Sequence, residues 1–494
     1  MTLLTPSLIT PNTSKLLSYL SFNKSCVAPA TKSPDVPTHI TIVMRKDGTP
    51  TTKYLNTYQD TPSRSKLLGR RRALSSQCLS SPPKQRRLIS SFIPRFHVSS
   101  RRSSLSHFQL RDSVVIDSST MIYRLQKLPI ELILHMLMYL DYKSLLKLSQ
   151  TCKQLHQLCQ NRYLWQRLFQ TDHLLHRIQL TYDYHSLYKN HHQLHQRWRK
   201  GQVRTRYLIG HEDSVYCLVW LGPDRIVSGS RDRSIKVWDL IQTHSSSLVL
   251  TKTHHEGSVL CLRVADNHRF MVSGSSDATC LIWSLPQLEP QARLTGHTGG
   301  VLDVCIVNEC IVSSSRDSSI RVWSQSGQEL KRLVGHGGPV NALGSHGSLV
   351  VSASGDTTLR LWDVETGHCL RTFIGHTKGL ACVRFDGNLI YSGGQDNKLK
   401  VWDVHSGKNL ATFTGHADLI RTIDSFGNMV VSGSYDKTLK VWDMKESKCI
   451  LSFQSGHSSW IFNTLLSRTK IISAGQDKRI MILDFGYDLV TLDH

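Results

Sequence analysis

Long apolar runs are missing from this sequence: none approaches the roughly 18 to 20 residues that a membrane-spanning helix needs, so we expect no membrane insertion. The twelve cysteines include no CxxC pair and no Cys/His spacing that suits zinc, so we predict neither a metal site nor a cofactor. A nucleophile elbow, a phosphate-binding glycine loop and a zinc-binding helix are also lacking. The sequence therefore predicts no catalytic residues, and we expect a protein that is not an enzyme.

Acidic residues are scarce as well: 37 Asp and Glu stand against 60 Lys and Arg, which gives a formal net charge of +23. This excess predicts attraction to polyanions such as nucleic acid, phosphorylated protein or anionic lipid, without choosing among them. The unpaired cysteine pattern is typical of buried reduced thiols, so we expect a protein of the cytoplasm, the nucleus or both.

Residues 1–120 are rich in Ser, Thr and Pro and show no sustained hydrophobic period, apart from a strand-and-turn-like piece at residues 39–48. A segment of this composition buries too little apolar surface to offset its ordering entropy, so we predict a disordered basic region. Its basic clusters are compatible with a nuclear-import signal, an anion-binding arm or a passive solvated tail. They lie at residues 70–72, 84–87 and 101–102. The start of the chain, which is free of acids as far as Asp35, is a weak likeness of an organelle transit peptide.

Residues 126–170 predict a small all-α domain. Leu128-Pro129 opens a first helix, since proline at the first helical position loses no hydrogen bond. That helix is apolar almost all round, so a second burial surface is expected, covered either by the rest of the chain or by a partner. Asp141 is predicted to cap a second helix, and one third helix is predicted to include Leu155 and Leu168.

Residues 171–203 are compatible with helix and dense in histidine, including His191, His192 and His195. A metal site is one interpretation of these histidines, but their spacings suit no common geometry closely. We therefore predict a solvated helical linker.

The sequence repeats itself from residue 205 to residue 486. A histidine recurs at steps of 44, 42, 39, 40, 40 and 41 residues, and a serine and then an aspartate follow it in every repeat. Six repeats continue to a tryptophan, which Leu483 replaces in the seventh. A period near 40 with these marks is typical of four-stranded blades, so we predict an all-β seven-bladed propeller. The histidines are His211, His255, His297, His336, His376, His416 and His457.

These recurring residues are expected to form one buried hydrogen-bonded chain in each blade, and not catalytic pairs. Residues 206–208 are predicted to supply the outer strand of the last blade and so to close the ring.

Two rings of side chains are predicted at one end of the propeller, because the bonded His and Asp bring their two loops together. Neither ring contains an acid, and arginine beside tyrosine and asparagine suits a phosphate or carboxylate. That Arg231 and Arg316 instead pair with neighbouring acids or lie solvated stays open. The inner ring, five positions after each His, is Tyr216, Leu260, Leu302, Asn341, Ala381, Arg421 and Phe462; the outer ring, just before each Asp, is Arg231, Ser276, Arg316, Gly355, Gln395, Tyr435 and Gln476.

A family resemblance rests on both halves of the chain. The stretch LPIEL at 128–132, with Leu140-Asp141, Cys152-Lys153 and Leu164-Trp165, resembles an F-box. An F-box, a helical linker and a seven-repeat propeller together resemble the F-box/WD-repeat receptors of SCF ubiquitin ligases. Within that family the sequence is most similar to the beta-transducin-repeat-containing branch, on SVYCL, VSASGD and GLAC at 214–218, 351–356 and 379–382. Departures are Leu155 for an F-box tryptophan, His254 for glycine in the second repeat, and Leu483.

The resemblance implies a non-catalytic receptor subunit whose F-box binds the adaptor that links to cullin. Its propeller top would bind phosphorylated degrons of protein substrates. The adaptor contacts implied are Leu128, Pro129, Leu132, Ile133, Met136 and Leu140. The ligand contacts implied are Tyr216, Arg231, Asn341 and Arg421, and the ring geometry adds Arg316.

Two other functions are compatible with the sequence. One is a WD-repeat scaffold without a role in ubiquitin transfer. The other is a nucleic-acid-binding propeller, which ranks lower because the basic excess lies in the tail and the rim lacks a stacking platform of several aromatics. A homodimer through residues 113–126 is a further option, and the sequence names neither the substrate, the degron nor the kinase.

Overall fold

A computed structural model of the chain describes residues 38–44, 50–55, 128–173, 183–242 and 247–489. Two strands come first, then five helices, then 28 further strands within this part of the chain. No helix in the described ranges is long and apolar enough to cross a membrane. The helices are α1 (Ile130–Leu137), α2 (Tyr142–Ser149), α3 (Lys153–Cys159), α4 (Arg162–His173) and α5 (Tyr184–Lys200).

Helices α1 to α4 enclose one small apolar core, as predicted for this region. The Asp141 carboxylate caps α2 by accepting from the Ser144 backbone N–H at 3.4 Å, which confirms the predicted cap. The prediction of one third helix is wrong, because Asn161 divides it into α3 and α4. The Asn161 side chain accepts from the Tyr163 N–H at 2.9 Å, so it begins a new helix instead of continuing the old one. The core residues are Ile133, Leu137, Leu145, Leu155, Cys159 and Leu164.

The propeller has seven blades, each a four-stranded antiparallel sheet whose first strand lines the central channel. Blade 1 contains β4 (Val215–Trp220), β5 (Arg225–Ser230), β6 (Ile235–Asp239) and β7 (Leu248–Lys252); blade 2 contains β8 (Val259–Val264), β9 (Phe270–Ser275), β10 (Cys280–Ser284) and β11 (Pro290–Leu294). Blade 3 contains β12 (Val301–Val307), β13 (Cys310–Ser315), β14 (Ile320–Trp323) and β15 (Glu329–Leu333); blade 4 contains β16 (Val340–His346), β17 (Leu349–Ser354), β18 (Leu359–Asp363) and β19 (Cys369–Phe373). Blade 5 contains β20 (Leu380–Phe385), β21 (Leu389–Gly394), β22 (Leu399–Asp403) and β23 (Asn409–Phe413); blade 6 contains β24 (Ile420–Phe426), β25 (Met429–Ser434), β26 (Leu439–Asp443) and β27 (Lys448–Gln454).

The ring closes on blade 7, which combines the two ends of the repeat region. Its strands are β28 (Ile461–Leu466), β29 (Lys470–Gly475), β30 (Arg479–Asp484) and β3 (Arg204–Ile209). Strand β3 pairs with β30 over its whole length, from Arg204 opposite Asp484 to Ile209 opposite Arg479. The predicted closure by residues 206–208 is therefore confirmed, and no open sheet edge separates the first blade from the last.

A hydrogen-bonded chain of His, Ser and Asp stabilises each blade, as predicted, and a Trp joins it in six of the seven. In blade 4 the His336 Nδ1 lies 2.7 Å from the Asp356 carboxylate and its Nε2 lies 2.7 Å from Ser352 Oγ. The Trp362 indole N–H donates to the same Ser352 Oγ at 2.8 Å. The serine-to-tryptophan distance is 2.8 Å in all six blades that have the tryptophan. The chain links the loop before the first strand to a turn later in the same blade.

One protonation state of the histidine satisfies all of these bonds. Burial lowers the pKa of His336, and the same holds for His255, His297 and His416. Burial alone would raise the pKa of Asp356, but bonds from Thr358 and His336 lower it to about 2. A neutral imidazole that donates from Nδ1 to the carboxylate and accepts from the serine hydroxyl at Nε2 satisfies every group.

Helix α5 is docked on the propeller, so the prediction of a solvated linker is wrong. Trp198 stacks on Phe485 with 3.6 Å between ring centroids, and its indole N–H donates to the Arg468 carbonyl at 3.1 Å. The Arg197 guanidinium donates to the Phe485 and Tyr487 carbonyls at 2.9 and 2.5 Å. Arg468 and Phe485 follow the last residues of β28 and β30, and these two strands begin beside the loops of His457 and Asp477. Helix α5, which we call the arm, therefore attaches at the end of the propeller opposite these loops.

Blade 6 is extended by an N-terminal hairpin of strands β1 (Thr38–Met44) and β2 (Pro50–Leu55). Strand β1 pairs in parallel with β27, from Thr38 opposite Leu451 to Thr41 opposite Gln454, and gives a six-stranded sheet. The strand-like part of the piece expected at residues 39–48 is confirmed for residues 39–44, which belong to the propeller and not to a disordered region, whereas residues 45–48 lie outside the described residues. The basic clusters and the rest of residues 1–120, like the dimer segment 113–126, lie outside the described residues.

We predict that Ser352→Ala destabilises the protein more than Ser473→Ala does. The first change leaves both the His336 Nε2 and the Trp362 N–H buried without a partner, whereas blade 7 has Leu483 at the tryptophan position and leaves only the His457 Nε2. Each orphaned group costs about 1 to 3 kcal/mol of the free energy of unfolding. Urea unfolding measures both losses, and equal losses would contradict the shared role of Ser352.

Acid is predicted to destabilise the propeller from about pH 6.5 downward. His255, His297, His336 and His416 have folded pKa values below the ordinary 6.5, so the unfolded chain takes up protons first as the pH falls. The stabilisation from Asp277 and Asp356 is present above pH 3.8 and is lost as the pH falls towards their folded pKa of about 2. Urea midpoints measured from pH 7.5 to 3 should fall throughout. A maximum near pH 5 would instead indicate imidazolium–carboxylate ion pairs.

Candidate functional site

The inner ring lies where the sequence placed it. All seven of its side chains line the central channel, which encloses about 530 Å³. The outer ring is held beside it, because each of its backbone N–H groups donates to a carbonyl in the loop after the histidine of the same blade. Arg231 donates to Ser214, Arg316 to Gly300 and Tyr435 to Leu419, at 2.9 to 3.0 Å. The two rings therefore share one end of the propeller, which we call the top face.

Two of the predicted arginines lie on the outer part of the top face. Arg231 is exposed, and its Nε lies 3.7 Å from the Asp213 carboxylate, so the pairing left open by the sequence is present here. Arg316 is exposed, and among the described residues no ion pair involves it. Because exposed ion pairs contribute little, Arg231 can exchange Asp213 for another anion at small cost.

Asn341 and Arg421 lie deeper, at the channel wall. The Asn341 amide donates to the Leu380 carbonyl at 2.6 Å, and the Arg421 guanidinium donates to the Ala381 carbonyl at 3.3 Å. Both bonds reach blade 5 from a neighbouring blade, which holds the two side chains at fixed positions. The guanidinium has five N–H donors, so one bond to a carbonyl leaves others for a ligand.

Four aromatic rings form a continuous row across blades 1, 7 and 6. Tyr216 contacts Phe462 at 4.9 Å between centroids, Phe462 contacts Tyr435 edge-on at 6.0 Å, and Tyr435 stacks on Trp460 at 4.5 Å and 7°. The statement that the rim lacks several adjacent aromatics is therefore wrong. Phe462 is buried by its neighbours, whereas Trp460 is 42% exposed, so the row offers an apolar surface mainly at Trp460.

Two aspartates that the ring positions did not include lie inside the channel. Burial raises the pKa of Asp303 and that of Asp424. The Asp303 carboxylate accepts from the Leu343 N–H at 2.8 Å, and the Asp424 carboxylate lies 3.4 Å from the Arg384 Nε. Arg263 and Arg384 also line the channel and oppose the effect of burial on the pKa of these two carboxyls.

A second candidate surface is the outer face of α1. Its exposed apolar residues are Leu128 (38%), Ile130 (52%), Leu132 (53%) and Met136 (50%), and Pro129 is exposed beside them. The opposite face of α1 packs on the helical core. The second burial surface expected from the sequence is therefore not covered within the described residues of this chain.

Two of the six residues expected to contact an adaptor do not lie on this face. Ile133 is 2% exposed and is part of the helical core, so its assignment as an adaptor contact is corrected. Leu140 is half-buried and packs against the same core. Ile130, which the family pattern did not select, lies on the exposed face instead. The 3.6-residue period of a helix is the signal that separates the exposed residues of α1 from the residues that face the helical core.

The histidines of α5 have other partners. Tyr142 Oη lies 2.7 Å from His192, and the His191 ring packs edge-on against Phe169 at 4.8 Å. Within the described ranges no three His, Cys, Asp or Glu side chains are grouped as metal ligands would be.

Comparison with known families matches both parts of the chain. The F-box-like family matches residues 125–171. The WD domain, G-beta repeat family matches six segments, 202–239, 246–284, 288–324, 327–363, 367–403 and 407–443.

This chain is an F-box/WD-repeat protein. Both matched families are interaction modules, and neither of them is a catalytic family. The six matched WD repeats end with blade 6, and blade 7, which lacks the tryptophan, is assigned by its strands and its His457, Ser473 and Asp477.

Curated relatives of this F-box/WD-repeat protein are matched only in part. It is 34% identical over 119 residues to DENN domain and WD repeat-containing protein SCD1 of Arabidopsis thaliana, covering 24% of this chain and 10% of that protein. It is 29% identical over 173 residues to Apoptotic protease-activating factor 1 of Homo sapiens, covering 34% and 14%. It is 26% identical over 176 residues to WD repeat-containing protein pop1 of Schizosaccharomyces pombe (strain 972 / ATCC 24843), covering 26% and 22%. The matched segments span less than a quarter of each relative's length.

Proposed function

We propose that this F-box/WD-repeat protein is the substrate-recognition subunit of an SCF-type ubiquitin ligase. The exposed apolar face of α1 would bind the adaptor that leads to cullin, and the top face would bind a phosphorylated degron of the substrate. The observation that carries the proposal is that one chain presents both surfaces, and that its helical arm docks on the end of the propeller opposite the top face. The receptor makes no bonds itself: it raises the effective concentration of a substrate lysine near a charged conjugating enzyme.

The adaptor part of the proposal is supported by the composition of the α1 face. Leu132, Met136 and Ile130 expose half of their surface each, on a helix whose other face is fully used. Exposed apolar groups of this density on one helix are typical of a protein interface. The adaptor would bury Leu128 and Pro129 together with them.

The degron part is supported by charge beside apolar surface. Arg421 lies at the channel mouth, Arg231 and Arg316 lie on the outer part of the top face, and Trp460 exposes an apolar face in blade 7, between blades 1 and 6. A phosphate would accept charge-assisted hydrogen bonds from the arginines, while a neighbouring apolar side chain of the same peptide packs on the aromatic row. Recognition would then depend on a kinase that phosphorylates the substrate.

Finer assignments follow the resemblance and remain proposals. We propose that the propeller is most similar to those of the beta-transducin-repeat-containing proteins, on the segments 214–218, 351–356 and 379–382. We also propose cytoplasmic or nuclear location and place the possible homodimer contact in residues 113–126.

We predict that Leu132→Ser with Met136→Ser abolishes adaptor binding without loss of fold. Both side chains are half exposed, so their removal leaves the helical core intact while it removes the apolar contact. A pull-down of purified adaptor by the full chain measures capture, because a shorter fragment would lack the β1–β2 hairpin that packs on blade 6 and α5. Ile374→Ser, which removes a 76% exposed side chain that follows the outer strand of blade 4, is the matched control and should capture as the natural chain does. No capture by the unaltered chain would favour a scaffold without a role in ubiquitin transfer.

We predict that Arg421→Ala weakens binding of a doubly phosphorylated peptide by about 1.5 to 3 kcal/mol, the usual scale of charge-assisted bonds. The control Arg332→Ala removes the same charge from the exposed outer strand of blade 3 and should leave affinity unchanged. Calorimetry at fixed salt compares both variants with phosphorylated and plain peptide. Equal affinity for the two peptides would contradict the degron site, and steep salt dependence with generic nucleic acid would favour the nucleic-acid alternative.

A further inference from the structure

The N-terminal hairpin covers an edge that the other blades leave open. In the described part of the chain, six sheets end on their fourth strand, whereas the sheet of blade 6 continues through β1 and β2. The parallel pairing of β1 with β27 gives the backbone groups of Thr38 to Thr41 partners on the blade. Strand addition of this kind supplies affinity through the main chain and specificity through alternate side chains.

The alternate side chains of β1 face the helical arm. Ile40 and Ile42 are 0% and 3% exposed and share one apolar cluster with Leu194 and Trp198 of α5, while Thr41 between them is only half-buried. The same cluster contains Leu451 and Phe453 of β27. Strand β1 is therefore packed between the blade and the arm and contacts both.

The hairpin also contacts the residue where the arm turns into the propeller. Gly201 ends α5 in the left-handed conformation, with φ of +67°, and is buried. A Cβ atom at this position would lie 2.1 Å from Ile40 Cδ1 and 3.1 Å from Leu451 Cδ2. A glycine between two rigid elements is a natural hinge, and here the side chain of Ile40 fills the space into which it would open.

We propose that strands β1 and β2 are a strap that locks the Gly201 hinge, so that Ile40 is a positioning residue which sets where the F-box lies relative to the top face. Trp198 and Arg197 fix the arm to blade 7 on one side, and Ile40 and Ile42 hold it against blade 6 on the other. The consequence for ubiquitin transfer rests on the proposed function, but the locking of the hinge does not.

A double-mutant cycle between Gly201→Ala and Ile40→Val tests the contact in the full chain. Valine lacks the Cδ1 atom that an alanine Cβ would strike, while the left-handed strain at residue 201 is common to both backgrounds and cancels in the cycle. Gly201→Ala should raise hydrogen exchange of the amides at residues 38–41 at least tenfold in the natural background and less than threefold in the Ile40→Val background. Equal increases in both backgrounds would overturn the contact between strap and hinge.

The position of the F-box is read by single-molecule energy transfer between encoded labels at Tyr163 and Ile374, which are 74% and 76% exposed. Gly201→Ala and Ile40→Ala should broaden the distance distribution, whereas Thr41→Ala on the other face of β1 should not. If Gly201→Ala fails to fold, Ile40→Ala and Thr41→Ala carry the comparison alone. Released hairpin amides with an unchanged distance distribution would overturn the positioning role.

Ubiquitin transfer separates this proposal from the proposed function. Ile40→Ala should lower the rate of transfer to a bound phosphorylated substrate at least threefold, with adaptor and phosphopeptide affinities unchanged. If Ile40→Ala loosens the arm but the natural protein transfers no ubiquitin, the proposed function is overturned and the role of the strap at the hinge is supported. An unchanged transfer rate despite a loosened arm would show that the strap does not position the reaction.

Discussion

The bond between the repeat histidine and its aspartate, made once in each blade, is the interaction on which the rest of this structure depends. It joins the loop before the first strand to a turn that lies between the second and third strands, so it fixes the top-face loops of all seven blades. Where burial lowers the pKa of the histidine, in blades 2, 3, 4 and 6, a neutral imidazole that donates from Nδ1 and accepts at Nε2 satisfies every polar group of the network. The rings around the channel mouth are positioned by this constraint.

Closure makes that constraint cooperative. Strand β3 comes from the start of the repeat region and pairs with β30 at its end, so blade 7 cannot form until both ends of the propeller meet. A propeller stabilised in this way presents its top face as one rigid surface, on which residues of different blades keep fixed separations. Arg421 and Asn341 use the same rigidity, since each donates to a carbonyl of blade 5.

What could be predicted from the sequence follows from periodicity. The repeat of about 40 residues gives the blades, the closing strand and the inner ring, because equivalent positions in equivalent blades must occupy equivalent places. The aromatic row could not be found in this way, since Tyr216, Tyr435 and Trp460 belong to three blades and to different positions within the repeat. The docking of the hairpin on blade 6 could not be predicted for a similar reason. Nothing in residues 38–44 indicates that their partner is β27, which lies about 400 residues further along the chain. Ile133 was misassigned because a family pattern does not distinguish the two faces of α1 in this chain, whereas burial does.

The arm decides whether the two surfaces can act together. The effective concentration of one bound partner near the other falls when the linker between their sites is flexible. It rises when the linker holds the two sites at a separation that suits both partners. One face of helix α5, which includes Leu194, Arg197 and Trp198, is buried against the propeller. A linker that only joined two independent modules would have no use for these buried groups or for a strand that packs against its last turn. The docked arm therefore indicates that the fold maintains a fixed distance between the α1 face and the top face. The presence of both surfaces on one chain would not by itself require such docking.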